Sequence, residues 1–215
     1  GVLLVSTDHP HAAFLTGGLP SLYVKTALPI IILMVMSGLL NVTDAWFLGV
    51  FSGEQALAAV TVSFPIFMLL SALGMLVASG MSSLLARALG QGDRSGAESV
   101  FASAHALSLA ISLVLVLLYV LLGGPVLTRL SLGDEALAAE AARYIGVLIW
   151  GAPIALILSV QADGLRNEGQ AGFMALAGLG VTLANIAFNA VLIIALQMGA
   201  AGAAIGTVLA QGVSV

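Results

Sequence analysis

Four side chains that carry oxygen atoms lie inside otherwise apolar stretches of the sequence, and together they could bind a small cation. Asp44 lies near the end of the apolar stretch 27–50. Asn185 and Asn189 are four residues apart in a later stretch, so they would share one face of a helix. Thr207 lies in the next stretch, after a short turn. A carboxylate, two amides and a hydroxyl can hold a proton or coordinate a hard cation such as sodium.

Each of these groups also has a purely structural interpretation. Asp44 is only a few residues from the end of its apolar stretch, so it could be solvated at the membrane interface. An aspartate near the centre of a membrane helix would cost roughly 2.5 to 3.5 kcal/mol. A single asparagine could merely bridge two helices by a hydrogen bond worth roughly 0.6 kcal/mol. The pattern favours an ion site because two asparagines share one face and a carboxylate accompanies them.

The composition is that of a helical membrane protein. Hydrophobic residues make up 60% of the 215 positions and charged residues 7%, whereas soluble domains carry about 25% charged residues. The mean hydropathy is +1.16. The net charge of −4 is spread over the loops, which indicates no nucleic-acid partner. Cysteine is absent, which excludes disulfides, thiolate metal sites and cysteine nucleophiles.

The sequence predicts a transmembrane protein that is not an enzyme. It contains no HExxH, GxSxG or Walker motif, and no metal site is predicted beyond sodium at the four oxygen-bearing side chains. Apolar stretches of about 20 residues can span a bilayer as helices. Six such stretches are predicted to do so, at about 27–50, 56–79, 101–122, 136–161, 173–196 and from 201 onward.

The predicted organisation is a segment 1–26 in the cytoplasm or at the membrane interface, followed by a six-helix domain over 27–215 whose last helix is still running at the end of the chain. Lysine and arginine are enriched on one side of the predicted helices, which places the N-terminus in the cytoplasm. Pro29 is expected in the first helical turn, and Pro65 is expected to interrupt the second span. Polar loops are predicted at 87–98 and at 123–135, where a Gly-Gly-Pro sequence occurs.

Seven short motifs follow one another along the chain. They are ALP at 27–29, VTDAWFLG at 42–49, EQALAAVTVSFPI at 54–66, LLARALGQGD at 84–93, LRNEGQAGFM at 165–174, NIAFN at 185–189 and GAAGAAIGTVLAQ at 199–211. Each motif is weak by itself, but their order and spacing are specific. In this combination the chain resembles the N-terminal half of multidrug and toxic compound extrusion (MATE) transporters.

The resemblance implies a fold and a function. MATE transporters have two six-helix lobes, of which this all-α chain would be one, so a C-terminal lobe, the bilayer and drug-like molecules are its expected partners. They export cationic or amphipathic compounds across the cytoplasmic (inner) membrane in exchange for H⁺ or Na⁺ by alternating access, without a cofactor. The alternatives are a flippase for lipid-linked oligosaccharides, whose cavity should carry basic residues, and a non-transporting six-helix scaffold.

The resemblance also implies roles for individual residues. Asp44 matches the aspartate of the family's first helix, and Asn185, Asn189 and Thr207 match the remaining positions of the N-lobe cation site. Many relatives have an aspartate at the position of Asn189, so only Asp44 can ionise here. The residues implied in bending of the first helix are Pro29 and Gly38, and the candidates for lining the substrate cavity are Gln161 and Met34.

Overall fold

A computed structural model describes residues 19–213, and the described secondary structure is entirely helical. The helices are α1 (Leu19–Phe51), α2 (Glu54–Gly90), α3 (Arg94–Leu130), α4 (Glu135–Trp150), α5 (Ala152–Asn167), α6 (Ala171–Asn189) and α7 (Gly199–Gly212). A π-helical turn, Ala190–Ala195, continues α6. The prediction of an all-α membrane fold is confirmed.

The helices occupy the positions of the six predicted spans in chain order, with α4 and α5 together at the fourth. Among the described residues, α2, α3 and the stretch Gly172–Ala195 are each long and apolar enough to cross a membrane. The pair α4 and α5 meets the same criteria when taken as one span bent by 49°. The predicted segment 1–26 lies largely outside the described residues, and its described part, from Leu19, belongs to α1.

Two predicted helix breaks and one predicted helix start are wrong. Helix α2 continues through Pro65, and α3 continues through the Gly-Gly-Pro sequence at 123–125. Because α1 begins at Leu19, Pro29 lies inside this helix and not in its first turn. A broken helix in lipid would leave several backbone groups without hydrogen bonds, whereas one proline removes a single donor, so continuous helices are favoured.

The predicted polar loop at 87–98 is also shorter than expected. Only residues 91–93 separate α2 from α3, because Asp93 caps the next helix. Its Oδ1 accepts a hydrogen bond of 2.9 Å from the backbone N–H of Gly96. Such a cap satisfies one of the free donors at a helix start and stabilises it by about 1 kcal/mol. Helices α2 and α3 therefore extend into a polar sequence that was predicted to be a loop.

The fourth span bends at Gly151, which separates α4 from α5. Helix α7 approaches closely at this point. A Cβ atom on Gly151 would lie 2.9 Å from Val208 Cγ1 and closer still to Cγ2. Glycine is therefore required at the bend because a side chain would overlap α7.

Substitution of Gly151 should destabilise the fold. We expect Gly151→Ala to lower the free energy of unfolding by about 1 to 3 kcal/mol through overpacking, and Val208→Ala to recover part of that loss in the double variant. Thermal unfolding of the purified protein in detergent would measure both effects. Equal stability of Gly151→Ala and wild type would show that α7 is not held at the bend.

The helices form two groups that meet around the polar side chains. Helix α2 packs against α3, α4 and α5, whereas α1 packs mainly along α6. Helix α7 joins the two groups because it contacts both α4 and α6. This arrangement brings the C-terminal part of α1, which carries Asp44, to the face of α6 that carries the two asparagines.

The outer surface of the bundle is apolar. Large side chains with more than half of their surface exposed occur along α1, α2 and α3. Examples are Val42, Leu76, Leu113, Val120 and Leu121. So large an apolar surface is stable in contact with lipid tails and would be a liability in water. The described helices therefore belong to an integral membrane protein.

Candidate ion-binding site

A continuous chain of hydrogen bonds connects the four predicted site residues. The Asn189 Nδ2 amide donates to Asp44 Oδ1 and to Asn185 Oδ1 over 3.0 Å. Asn185 Nδ2 donates to Thr207 Oγ1 over 3.1 Å. Thr207 Oγ1 in turn donates to the carbonyl oxygen of Ala203 over 3.0 Å. The chain of bonds therefore runs from α1 through α6 to α7, and we call it the polar network.

The polar network is removed from the outer surface. Asn185 is 1% exposed and Asn189 is 0% exposed, while Asp44 and Thr207 are half-buried. The four-residue spacing of the asparagines places both side chains on the face of α6 that meets α1 and α7. Asp44 therefore faces the interior of the helical bundle and not the lipid, which answers the question that its sequence position left open.

The oxygen atom of Asn189 has no hydrogen-bond donor among the described residues. Both N–H bonds of its amide are used, but the buried Oδ1 atom accepts none. A buried acceptor without a partner is costly and uncommon in proteins. This oxygen lies against Gly206, where a Cβ atom would overlap it. The site therefore contains an acceptor that is available to a proton donor or a cation.

Two features next to the polar network were not predicted from the sequence. The backbone changes from α-helical to π-helical immediately after Asn189, and such local changes are frequent at functional sites. Tyr144 of α4 packs against the buried cluster that includes Ile193 and Leu48, the latter one turn after Asp44. A lone tyrosine in an apolar span carries no spacing signal, so only the fold reveals its position.

A cavity of about 410 Å³ reaches the polar network from between α2, α5 and α7. Thr207 lines it together with Ser159 of α5 and Gln211 of α7. The lining residues include both apolar side chains and hydroxyl, amide and charged groups. They are Phe67, Leu70, Ser71, Gly74, Met75, Ala78, Ser79, Leu148, Ala155, Leu156, Ser159, Ala162, Asp163, Arg166, Thr207, Val208 and Gln211.

The structure does not bring the other predicted residues to the polar network. Gln161 lines a separate cavity of about 710 Å³ between α2, α3 and α5. Met34 is 71% exposed on α1. A Cβ atom on Gly38 would meet nothing within 4 Å, so no tight contact requires this glycine. Pro29 lies inside α1, and the roles of Pro29 and Gly38 in bending remain predictions.

Comparison with known proteins decides the family. A family model described as MatE matches residues 29–191, which is most of the chain and includes the polar network up to Asn189. The chain belongs to the MatE family. The family resemblance found in the sequence motifs is thereby confirmed.

Two relatives illustrate this membership of the MatE family. The multidrug export protein MepA of Staphylococcus aureus is 25% identical over 192 residues, covering 86% of this chain. A structure described as the outward-facing conformation of a multidrug resistance MATE family transporter of the MOP superfamily is 31% identical, with a TM-score of 0.82 over 89% of this chain.

A third relative is a MOP superfamily transporter from Pyrococcus furiosus, whose structure is described as having a binding pocket of reverse polarity that suggests a different function. It is 31% identical, with a TM-score of 0.79 over 89% of this chain. The chain spans only 41% of the length of MepA and 42% of each of the two solved chains. The matched part therefore corresponds in size to one lobe of these proteins.

Proposed function

We propose that this chain is the ion-coupling N-terminal lobe of a secondary active antiporter. The antiporter exports cationic or amphipathic small molecules across the cytoplasmic membrane in exchange for H⁺ or Na⁺. The lobe acts with a second, C-terminal lobe, and its N-terminus is cytoplasmic. The observation that carries the proposal is the polar network, which joins the only carboxylate of α1 to the lining of a cavity through buried amides.

Asp44 is the group that binds the coupling ion. In the described arrangement one oxygen of its carboxyl group accepts a hydrogen bond from Asn189. A proton or a sodium ion on this carboxylate favours an oxygen over an N–H group as its neighbour. Asn189 can supply that oxygen by turning its amide: its Oδ1 atom gives up no donor, and its N–H group gives up the bonds to Asp44 and Asn185. The additional oxygen ligands for a sodium ion are Asn185 Oδ1 and Thr207 Oγ1.

The same amide rotation transmits ion binding to the cavity. When the Asn189 amide turns, its N–H group no longer donates to Asn185 Oδ1. Asn185 is then free to change its hydrogen bond to Thr207, which lines the cavity. The ion and the substrate thus act on the same chain of hydrogen bonds. The hydrogen bonds differ between the ion-bound and the ion-free state, as alternating access requires. The ion gradient supplies roughly 2.3 kcal/mol per charge per 100 mV, plus its concentration term.

The cavity suits amphipathic molecules. Its volume of about 410 Å³ falls within the range of about 300 to 1,000 Å³ that is typical of small-molecule sites. Phe67, Met75 and Leu156 provide apolar contacts, while Ser159 and Gln211 provide hydrogen-bonding groups. The cavity therefore offers both kinds of surface that an amphipathic substrate needs.

Ethidium transport by the intact protein in proteoliposomes tests the proposal. A proton gradient and a sodium gradient are imposed in separate experiments, and wild type is expected to move ethidium under one of them. The gradient that drives transport identifies the coupling ion. If neither gradient moves ethidium while the protein is folded, the antiporter proposal is wrong, and a lipid-linked substrate or a scaffold role becomes the better account.

Thr207 should tune the affinity for the coupling ion. Thr207→Val keeps the side-chain shape but removes the partner of Asn185 Nδ2, so we expect the ion concentration for half-maximal transport to rise about tenfold. Thr207→Ser keeps the hydroxyl and should behave like wild type. Thr61→Val is a matched control, since among the described residues the Thr61 hydroxyl bonds only the Leu57 carbonyl of its own helix. Equal ion dependence of Thr207→Val and Thr61→Val would remove Thr207 from the site.

A further inference from the structure

The substrate cavity contains one nearly buried carboxylate. Asp163 and Arg166 are the charged residues among the described cavity lining, and both lie on α5. Arg166 Nη2 is 2.7 Å from Asp163 Oδ1. The Asp163 side chain is 12% exposed, whereas the Arg166 side chain is 47% exposed. The carboxylate is therefore held inside the cavity, while its partner reaches in from a more open position.

We propose that Asp163 is the cation-binding group of the substrate cavity, and that Arg166 is an internal counterion which an organic cation replaces. This inference rests on the proposed transport function and deepens it by naming a residue that selects cationic substrates. In the absence of substrate the Arg166 guanidinium neutralises the carboxylate. An organic ammonium or phosphonium group takes its place when the substrate enters, and Arg166 moves outward.

The ion pair is built in a way that allows this exchange. Asp163 and Arg166 are three residues apart on a single helix, so their pairing holds no two helices together. The contact that anchors this turn of α5 is separate from the pair. Asn167 Nδ2 donates to Ser82 Oγ of α2 over 2.7 Å and to the Asp163 carbonyl over 2.8 Å. Arg166 can thus leave Asp163 while α5 stays in place.

The residues around Asp163 could contact the uncharged polar and apolar parts of an amphipathic cation. Ser159 lies one turn earlier on α5, and Gly74 and Met75 of α2 line the same cavity. A Cβ atom on Gly74 would lie 3.2 Å from Ser159 Oγ, so α2 and α5 are close at this level. Apolar residues such as Leu156 and Val208 line the same cavity, as does Thr207. A substrate bound with its charge at Asp163 would extend its apolar part towards the polar network.

Two single substitutions distinguish a role of Asp163 in binding the substrate cation from a purely structural role of the Asp163–Arg166 ion pair. Tetraphenylphosphonium, a permanent cation, serves as the probe, and its equilibrium binding to the purified intact protein is measured. We expect Asp163→Asn to weaken binding about tenfold, because the electrostatic attraction between the phosphonium cation and the carboxylate is lost. We expect Arg166→Gln to tighten binding several-fold, because the competing cation is gone. A purely structural ion pair would predict the same direction for both variants, since each breaks the same pair.

The Glu140–Arg143 pair of α4 provides matched controls. It has the same three-residue spacing, with a distance of 3.3 Å, and it does not line the substrate cavity. Glu140→Gln and Arg143→Gln should leave tetraphenylphosphonium binding unchanged. If Asp163→Asn does not fold, Arg166→Gln still decides, because unchanged or weaker binding by this variant overturns the inference. If only this inference is wrong, wild type still transports ethidium when an ion gradient is imposed. If the proposed antiporter function is wrong, wild type shows no such transport.

Discussion

Replacement of Asp44 by asparagine is expected to reduce ion-driven ethidium efflux to the level of membranes without the protein. Asparagine has nearly the same shape as aspartate and can still form a hydrogen bond with Asn189, so the helical bundle should remain folded. It cannot hold a proton or neutralise a sodium ion, however. The polar network has no second carboxylate to take over this role, because residue 189 is an asparagine. The variant should therefore lose coupling while it keeps the fold.

Asp134→Asn is the matched control for this experiment. Asp134 is also an aspartate whose Oδ1 accepts a hydrogen bond, in this case from the backbone N–H of Leu137 at the start of α4. Asparagine caps a helix about as well as aspartate, so both the stability and the coupling of this variant should stay close to those of wild type. Thermal unfolding and ethidium efflux are measured on both variants. Efflux by Asp44→Asn equal to that of Asp134→Asn would mean that Asp44 is not the coupling residue.

Gly206→Ala is expected to have the second-largest effect. A Cβ atom at this position would overlap Asn189 Oδ1, so the Asn189 side chain must move and its bonds to Asp44 and Asn185 must weaken. Overpacking of this kind costs about 1 to 3 kcal/mol. We therefore expect both lower thermal stability and a large loss of ion-driven efflux, even though alanine is a better helix former than glycine.

Gly180→Ala in α6 distinguishes this effect from a general glycine effect. A Cβ atom at Gly180 would meet nothing within 4 Å. The substitution should therefore keep wild-type efflux and stability, or raise stability slightly through helix propensity. Efflux and thermal unfolding are compared for the two variants in the same preparation. If Gly206→Ala matched Gly180→Ala in both measurements, the close contact between α6 and α7 would not control the polar network.

The grouping of the polar side chains could be predicted because it depends on simple periodicity. Two asparagines four residues apart share a helix face in any helix, and the short turn after them places Thr207 on an adjacent antiparallel helix. The position of Asp44 relative to that face depends on which helix packs against which. Apolar composition alone does not determine this choice, and the family resemblance supplied it.

Other features depend on tertiary contacts and could not be predicted. The bend at Gly151 follows from the close approach of Val208, and a glycine in an apolar stretch does not reveal whether another helix touches it. Likewise, Gln161 lies only two residues from Asp163, yet it lines a different cavity because α5 exposes different faces to α3 and α7. Prolines were overestimated as helix breakers because that expectation is based on behaviour in water.

The most direct test of ion coupling at Asp44 is ion movement driven by a substrate. Proteoliposomes that contain the intact protein are prepared with equal H⁺ and Na⁺ concentrations on both sides, and an ethidium gradient is then imposed. Wild type is predicted to move H⁺ or Na⁺ in the direction opposite to ethidium, whereas Asp44→Asn should move neither ion. Equal ethidium-driven ion movement in wild type and Asp44→Asn would contradict the assignment of the coupling site to Asp44.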